Sequence, residues 1–181
     1  LTEEPEQELR KGLWEFSRGY AHLRTGSPDS ASVYLERIDQ KADTLPESMR
    51  MRAHPASALL GITGDILRGE ILRNGGLLDE AIPVFERAVE THDGLRYDEP
   101  EPLNFSARHW LGDALLEAGQ FADAERVYQG ALDQHPDNGW SHFGLEKALR
   151  AQGKTAQADV AREDFNRVWS RADVVINRSI F

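Results

Sequence analysis

His109, Asp113 and Glu117 recur every four residues, so on a helix they share one face. An imidazole with two carboxylates is the donor set of a divalent-metal site or of an acid–base pair. These three are weak metal candidates, because no His-x-x-x-His or His-Glu-x-x-His pairing reinforces them. Chance placement of charges on an exposed helix produces the same pattern. The other histidines, His22, His54, His92, His135 and His142, are scattered and read as solvated or capping groups. Cysteine is absent, which removes disulfides, thiolate nucleophiles and cysteine-ligated zinc. No catalytic residue is assigned and no cofactor is expected; the reading leans away from an enzyme.

The residues suited to binding are of another kind. Phe16, Tyr20, Trp140 and Phe143 offer aromatic surface, and Arg73, Lys147 and Arg150 offer cations. Aromatic residues and arginine dominate interface energies. The competing reading packs those aromatics against neighbouring helices. With 21 Lys and Arg against 31 Asp and Glu, the net charge is -10, which disfavours nucleic acid and anionic lipid as partners. The run Arg50-Met51-Arg52-Ala53-His54 is the one basic loop and is too short to argue for nucleic acid. Asn74-Gly75-Gly76 reads as a helix terminator, not a phosphate cradle. No apolar run approaches the roughly 20 residues that a membrane-spanning helix needs, so no membrane partner is expected. Localisation is open, with the cytoplasm slightly favoured.

The elements that must position these side chains follow from self-similarity. The clearest unit starts at Phe105 and contains Leu111-Gly112, Gly119, Ala124, Tyr128, Ala131 and Pro136. Small residues at Gly112 and Ala124 let two antiparallel helices approach. Gly119 ends the first helix in a left-handed conformation, and Pro136 ends the second. The same phase recurs as Gly19, Gly26 and Ala31, as Gly69, Gly76, Ala81, Phe85 and Ala88, and as Gly153 and Ala158. This pattern resembles the tetratricopeptide repeat (TPR), although Arg108 stands at the usual Trp position and Trp110 follows two residues later.

The resemblance implies an all-α TPR solenoid of about four antiparallel helix pairs in a single domain, 1–181. Repeats are expected near 12–45, 62–93, 105–138 and 139–173, with inserted loops at 44–57 and 94–102 and an apolar tail at 174–181. Helices are expected over 5–25, 28–44, 57–74, 78–93, 103–118, 121–135, 139–152 and 155–172. Asn138 and Thr155 are expected as N-caps. The tail is expected to cover the end of the solenoid or to contact another chain. Tyr97 in the second insertion, Tyr97-Asp98-Glu99-Pro100-Glu101-Pro102, is expected to pack down with its acids solvated.

The resemblance also implies a concave groove lined by the first helix of each pair. Phe16 and Tyr20 would line it in the first repeat, Glu70 and Arg73 in the second, His109, Asp113 and Glu117 in the third, and Trp140, Phe143, Lys147 and Arg150 in the fourth. Phe16 and Tyr20 stand where the co-chaperone clamp for acidic tails needs Lys and Asn. A groove that is aromatic, then acidic, then aromatic and basic suits a protein or peptide partner with apolar anchors and charge.

Two further stretches narrow the resemblance. Tyr97-Asp98-Glu99-Pro100 before Arg108-His109-Trp110-Leu111-Gly112, and Asn138-Gly139-Trp140 before Phe143-Gly144-Leu145, are similar to the C-terminal part of a group of uncharacterised bacterial TPR proteins. That implies a bacterial origin and a chain that is the structural C-terminal part of a larger polypeptide. Its N-terminal repeat region would then be a possible partner.

Overall fold

The computed structural model describes residues 3–181. Among them are eight α-helices: α1 (Glu8–Arg24), α2 (Pro28–Thr44), α3 (Ala56–Asn74), α4 (Leu78–Asp93), α5 (Ala107–Glu117), α6 (Phe121–Gln134), α7 (Gly139–Ala151) and α8 (Thr155–Val168). The fold is all-α and TPR-like. The chain divides into two compact units, Leu1–Ala107 and Arg108–Phe181. The first holds α1 to α4, and the second holds nearly all of α5 together with α6 to α8.

In the first unit, α1 packs on α2 and α3, and α3 also packs on α2 and α4. α3 is the centre of this core: Leu59, Leu60, Ile62, Ile66 and Leu67 are fully buried. Apolar residues on nearly all sides of α3 fit a helix covered by neighbours all round.

The second unit is organised around Tyr128 on α6, which is fully buried. A Cβ on Gly112 of α5 would meet the Tyr128 Cζ at 2.5 Å, and one on Gly144 of α7 would collide with the same ring. Two glycines on two different helices therefore make the slot for one aromatic side chain. The helix-ending glycine of each pair has a positive φ, 82° at Gly26, 78° at Gly76, 73° at Gly119 and 74° at Gly153. A β-carbon is disfavoured there, which explains why the glycine recurs at one phase.

Several boundaries differ from expectation. The first helix begins at Glu8, not at residue 5, the fifth at Ala107, not at 103, and the eighth ends at Val168, well before 172. Residues 169–181 instead form a non-helical tail of turns and bends. The insertion at 44–57 is not a plain loop: β1 (Arg50–Met51) and β2 (His54–Pro55) form a short antiparallel ladder pairing Arg50 with Pro55 and Met51 with His54. Asn138 caps α7, its side chain accepting from the Ser141 N–H at 3.0 Å. Thr155 does not cap α8; Lys154 holds that position without a side-chain bond.

Candidate functional site

In the second unit, α5 presents His109, Asp113 and Glu117 in a row, as their spacing requires. The three do not converge on an ion. His109 Nε2 pairs with Ser141 Oγ on α7 at 3.0 Å. Both carboxylates instead meet the guanidinium of Arg178 in the tail: Arg178 donates to Asp113 Oδ2 from Nε at 3.0 Å and from a terminal nitrogen at 2.6 Å, and that same nitrogen lies 3.3 Å from Glu117 Oε2. Among the described residues no group of three or more histidine and acidic side chains is placed to hold a metal. His109, Asp113 and Glu117 are ion-pair and hydrogen-bond partners of the chain itself.

The tail continues along this face. Ser179 turns its N–H and hydroxyl toward Asp113 Oδ1, each at 3.4 Å, and its Oγ lies 2.5 Å from the Tyr128 hydroxyl. Ser179 and Ile180 are buried, and Phe181 sets its ring edge-on against Trp110 with centroids 5.0 Å apart. Thus an arginine, a serine, an aliphatic and an aromatic residue each have a seat. The arginine pair is charge-assisted; Asp113 is 6% exposed, whereas Arg178 keeps contact with solvent, which screens the pair in part. Upstream, Trp169 donates its indole N–H to the Val174 carbonyl at 2.9 Å and fixes the turn into the tail.

The other sequence candidates lie elsewhere. Phe16 and Tyr20 are buried in the first unit, with the Phe16 ring tilted against that of Phe105, centroids 5.9 Å apart. Glu70 and Arg73 form a buried ion pair at 3.1 Å. Phe143 is buried against Phe165 of α8, with ring centroids 5.6 Å apart, and Trp140 sits against Trp169 at 5.4 Å. Of these contacts, Phe143 with Phe165 joins two helices, α7 and α8. Lys147 remains exposed above the Phe143 ring, and Arg150 bonds Glu146 and Asp159, joining α7 to α8.

The first unit holds a feature that sequence reading did not anticipate. The two insertions clasp each other. Arg52 pairs with Asp98 at 2.8 Å and donates to the Pro100 carbonyl, and His54 Nε2 meets Asp98 Oδ2 at 3.0 Å. His54 is 1% exposed, not solvated. Arg52 carries a φ of 54°, which a residue other than glycine adopts at a cost of roughly 1–2 kcal/mol. Its two side-chain bonds to the second insertion offset that strain. Tyr97, expected to pack down, is 88% exposed; its hydroxyl donates to Glu99 at 2.8 Å, and this hydrogen bond above all raises its pKa. The one available signal was the repeat period, which both insertions break.

Comparison with known proteins now bears on this geometry. No curated protein matches the chain. Among solved structures, MamA AMB-1 in crystal form P212121 is similar at 21% identity with a TM-score of 0.58, covering 91% of this chain and 79% of that one. MamA AMB-1 in form C2221 is similar at 17% identity and a TM-score of 0.49, covering 87% of this chain and 98% of that one. The first of these shows a shared fold. The family model described as tetratricopeptide repeat matches residues 66–139 and 110–165, together more than half of the sequence. With four helix pairs, a left-handed glycine in each, and a small residue facing the ring of Tyr128 on both flanking helices, the chain belongs to the tetratricopeptide-repeat family.

Proposed function

We propose that this TPR protein is a protein- or peptide-binding scaffold whose α5 face, in the second unit, receives an extended segment bearing a cation, a small hydroxyl residue, an aliphatic residue and an aromatic residue in succession. The observation that supports this reading is the seating of residues 178–181 on that face. An acidic pair on a helix, a tyrosine hydroxyl beside it and an indole beyond it form a graded surface. Such a surface takes an arginine at one end and an aromatic ring at the other. Tethering gives the tail a high effective concentration, so a partner segment must match its chemistry and compete with it. The chain's excess of acidic groups steers a basic segment toward it. The reading of His109, Asp113 and Glu117 as metal ligands or acid–base groups has no comparable support, since their polar atoms are engaged as described.

The test uses the full chain with Arg178→Glu, which repels its own tail from Asp113, and a synthetic peptide of residues 174–181. Saturable quenching of tryptophan fluorescence by the peptide, weakened when Asp113→Asn is added, is the expected result. A folded Arg178→Glu chain that fails to bind the peptide overturns the proposal.

A further inference from the structure

The clasped insertions of the first unit line an open cavity of about 530 Å³. Arg50, His54 and Arg96 lie on its wall, with Pro55 and Leu95 as apolar lining. Arg50 donates to the Ala53 carbonyl at 3.0 Å and, among the described residues, forms no ion pair; Arg96 forms neither hydrogen bond nor ion pair. The clasp's own carboxylate, Asp98, is taken by Arg52 and His54. The chain has 31 acidic residues, yet among the described residues none pairs with these two guanidinium groups.

His54 supplies the second observation. It is 1% exposed, and its Nδ1 is buried without a hydrogen-bond partner. Buried polar atoms are nearly always satisfied, so an orphan on a residue that borders the cavity marks a polar demand that the chain itself does not meet. Nε2 faces the Asp98 carboxylate, which only accepts, so Nε2 carries a proton and donates it there.

We propose that this cavity binds a small oxyanion, a phosphate or carboxylate group on a compact and partly apolar body. Arg50 and Arg96 supply forked donors to the anionic oxygens. His54 borders the same cavity beside them. Pro55 and Leu95 contact the apolar part of the ligand. The clasp through Asp98 positions His54 and holds the two insertions around the cavity. This site is separate from the α5 face and does not depend on the peptide reading.

The test is a titration of the isotope-labelled full chain with inorganic phosphate and, separately, with benzoate, each at ionic strength matched by chloride and followed by amide NMR. Saturable shifts confined to residues 50–55 and 94–96 are expected with at least one of them. The doubly substituted chain, Arg50→Gln with Arg96→Gln, should bind about tenfold or more weakly. Its ligand-free melting temperature should be unchanged, because both side chains are exposed. Saturation by phosphate alone identifies a phosphate ligand, and by benzoate alone a carboxylate; either supports the site. Saturation by neither, or equal affinity in the substituted chain, overturns it.

Discussion

The two units handle charge in opposite ways. In the second, the acids Asp113 and Glu117 stand on a helix face and the chain brings its own arginine to them. In the first, Arg50 and Arg96 stand on a cavity wall and no acid among the described residues pairs with them. Both sites are built by segments outside the repeats, a tail in one case and two insertions in the other. The difference teaches where to look for a ligand. A face whose complement is present in the same polypeptide shows the shape and charge of what it takes. A face whose complement is missing shows only the charge, and the ligand must be found by titration.

Four substitutions or conditions break or sharpen that contrast. Tyr128→Ala should have the largest effect, about 3–5 kcal/mol of lost stability, because it empties the slot between Gly112 and Gly144 and removes the Ser179 contact. Denaturant melts would register it, and an effect below about 1 kcal/mol would contradict that packing. Asp113→Ala should cost about 1.5–3 kcal/mol through lost charge-assisted hydrogen bonds. Amide exchange at Ser179, whose N–H faces Asp113, should speed up while exchange in the 50–55 hairpin stays as it was. Equal acceleration in both regions would erase the distinction between the two sites.

Asp98→Ala should cost about 1–2 kcal/mol, since Asp98 is partly exposed and serves both His54 and Arg52. Here the response should be reversed, with faster exchange in the hairpin and none at Ser179. The smallest effect should be one of pH. Glu125 on α6 has its pKa lowered, chiefly by the hydrogen bond from Lys154, then by that from Gln152, against an opposing penalty of burial. A carboxylate whose folded value lies below its unfolded one adds stability above the unfolded value. That stability is lost as pH falls through the folded one. The melting temperature of the parent chain should therefore fall more steeply than that of Glu125→Gln as the pH drops below the ordinary carboxylate range. Parallel curves would show that the link between α6 and the α7–α8 turn adds nothing.

Much of the architecture was legible from small residues. Gly26, Gly76, Gly119 and Gly153 recur because a left-handed backbone is needed at each turn, so the helix pairs could be phased from them. Pro28 and Leu78 begin helices where expected, and Asn138 caps one. The site was less legible. His109, Asp113 and Glu117 do share a face, but four-residue spacing carries no information about what approaches that face. Phe16, Tyr20, Phe143 and Trp140 could be read as groove or as core, because an aromatic stripe serves both; in the structure Phe16, Tyr20 and Phe143 are buried and Trp140 is half-buried.

The sequence alone determined the repeat phase, the all-helical class, the two insertions and the acidic balance, since these rest on local conformational preference and on composition. Only the tertiary structure decided that Arg178 meets Asp113 across 65 residues and that His54 meets Asp98 across 44. Such contacts depend on where folded segments are carried in space. No periodicity within a helix or spacing within a loop records that.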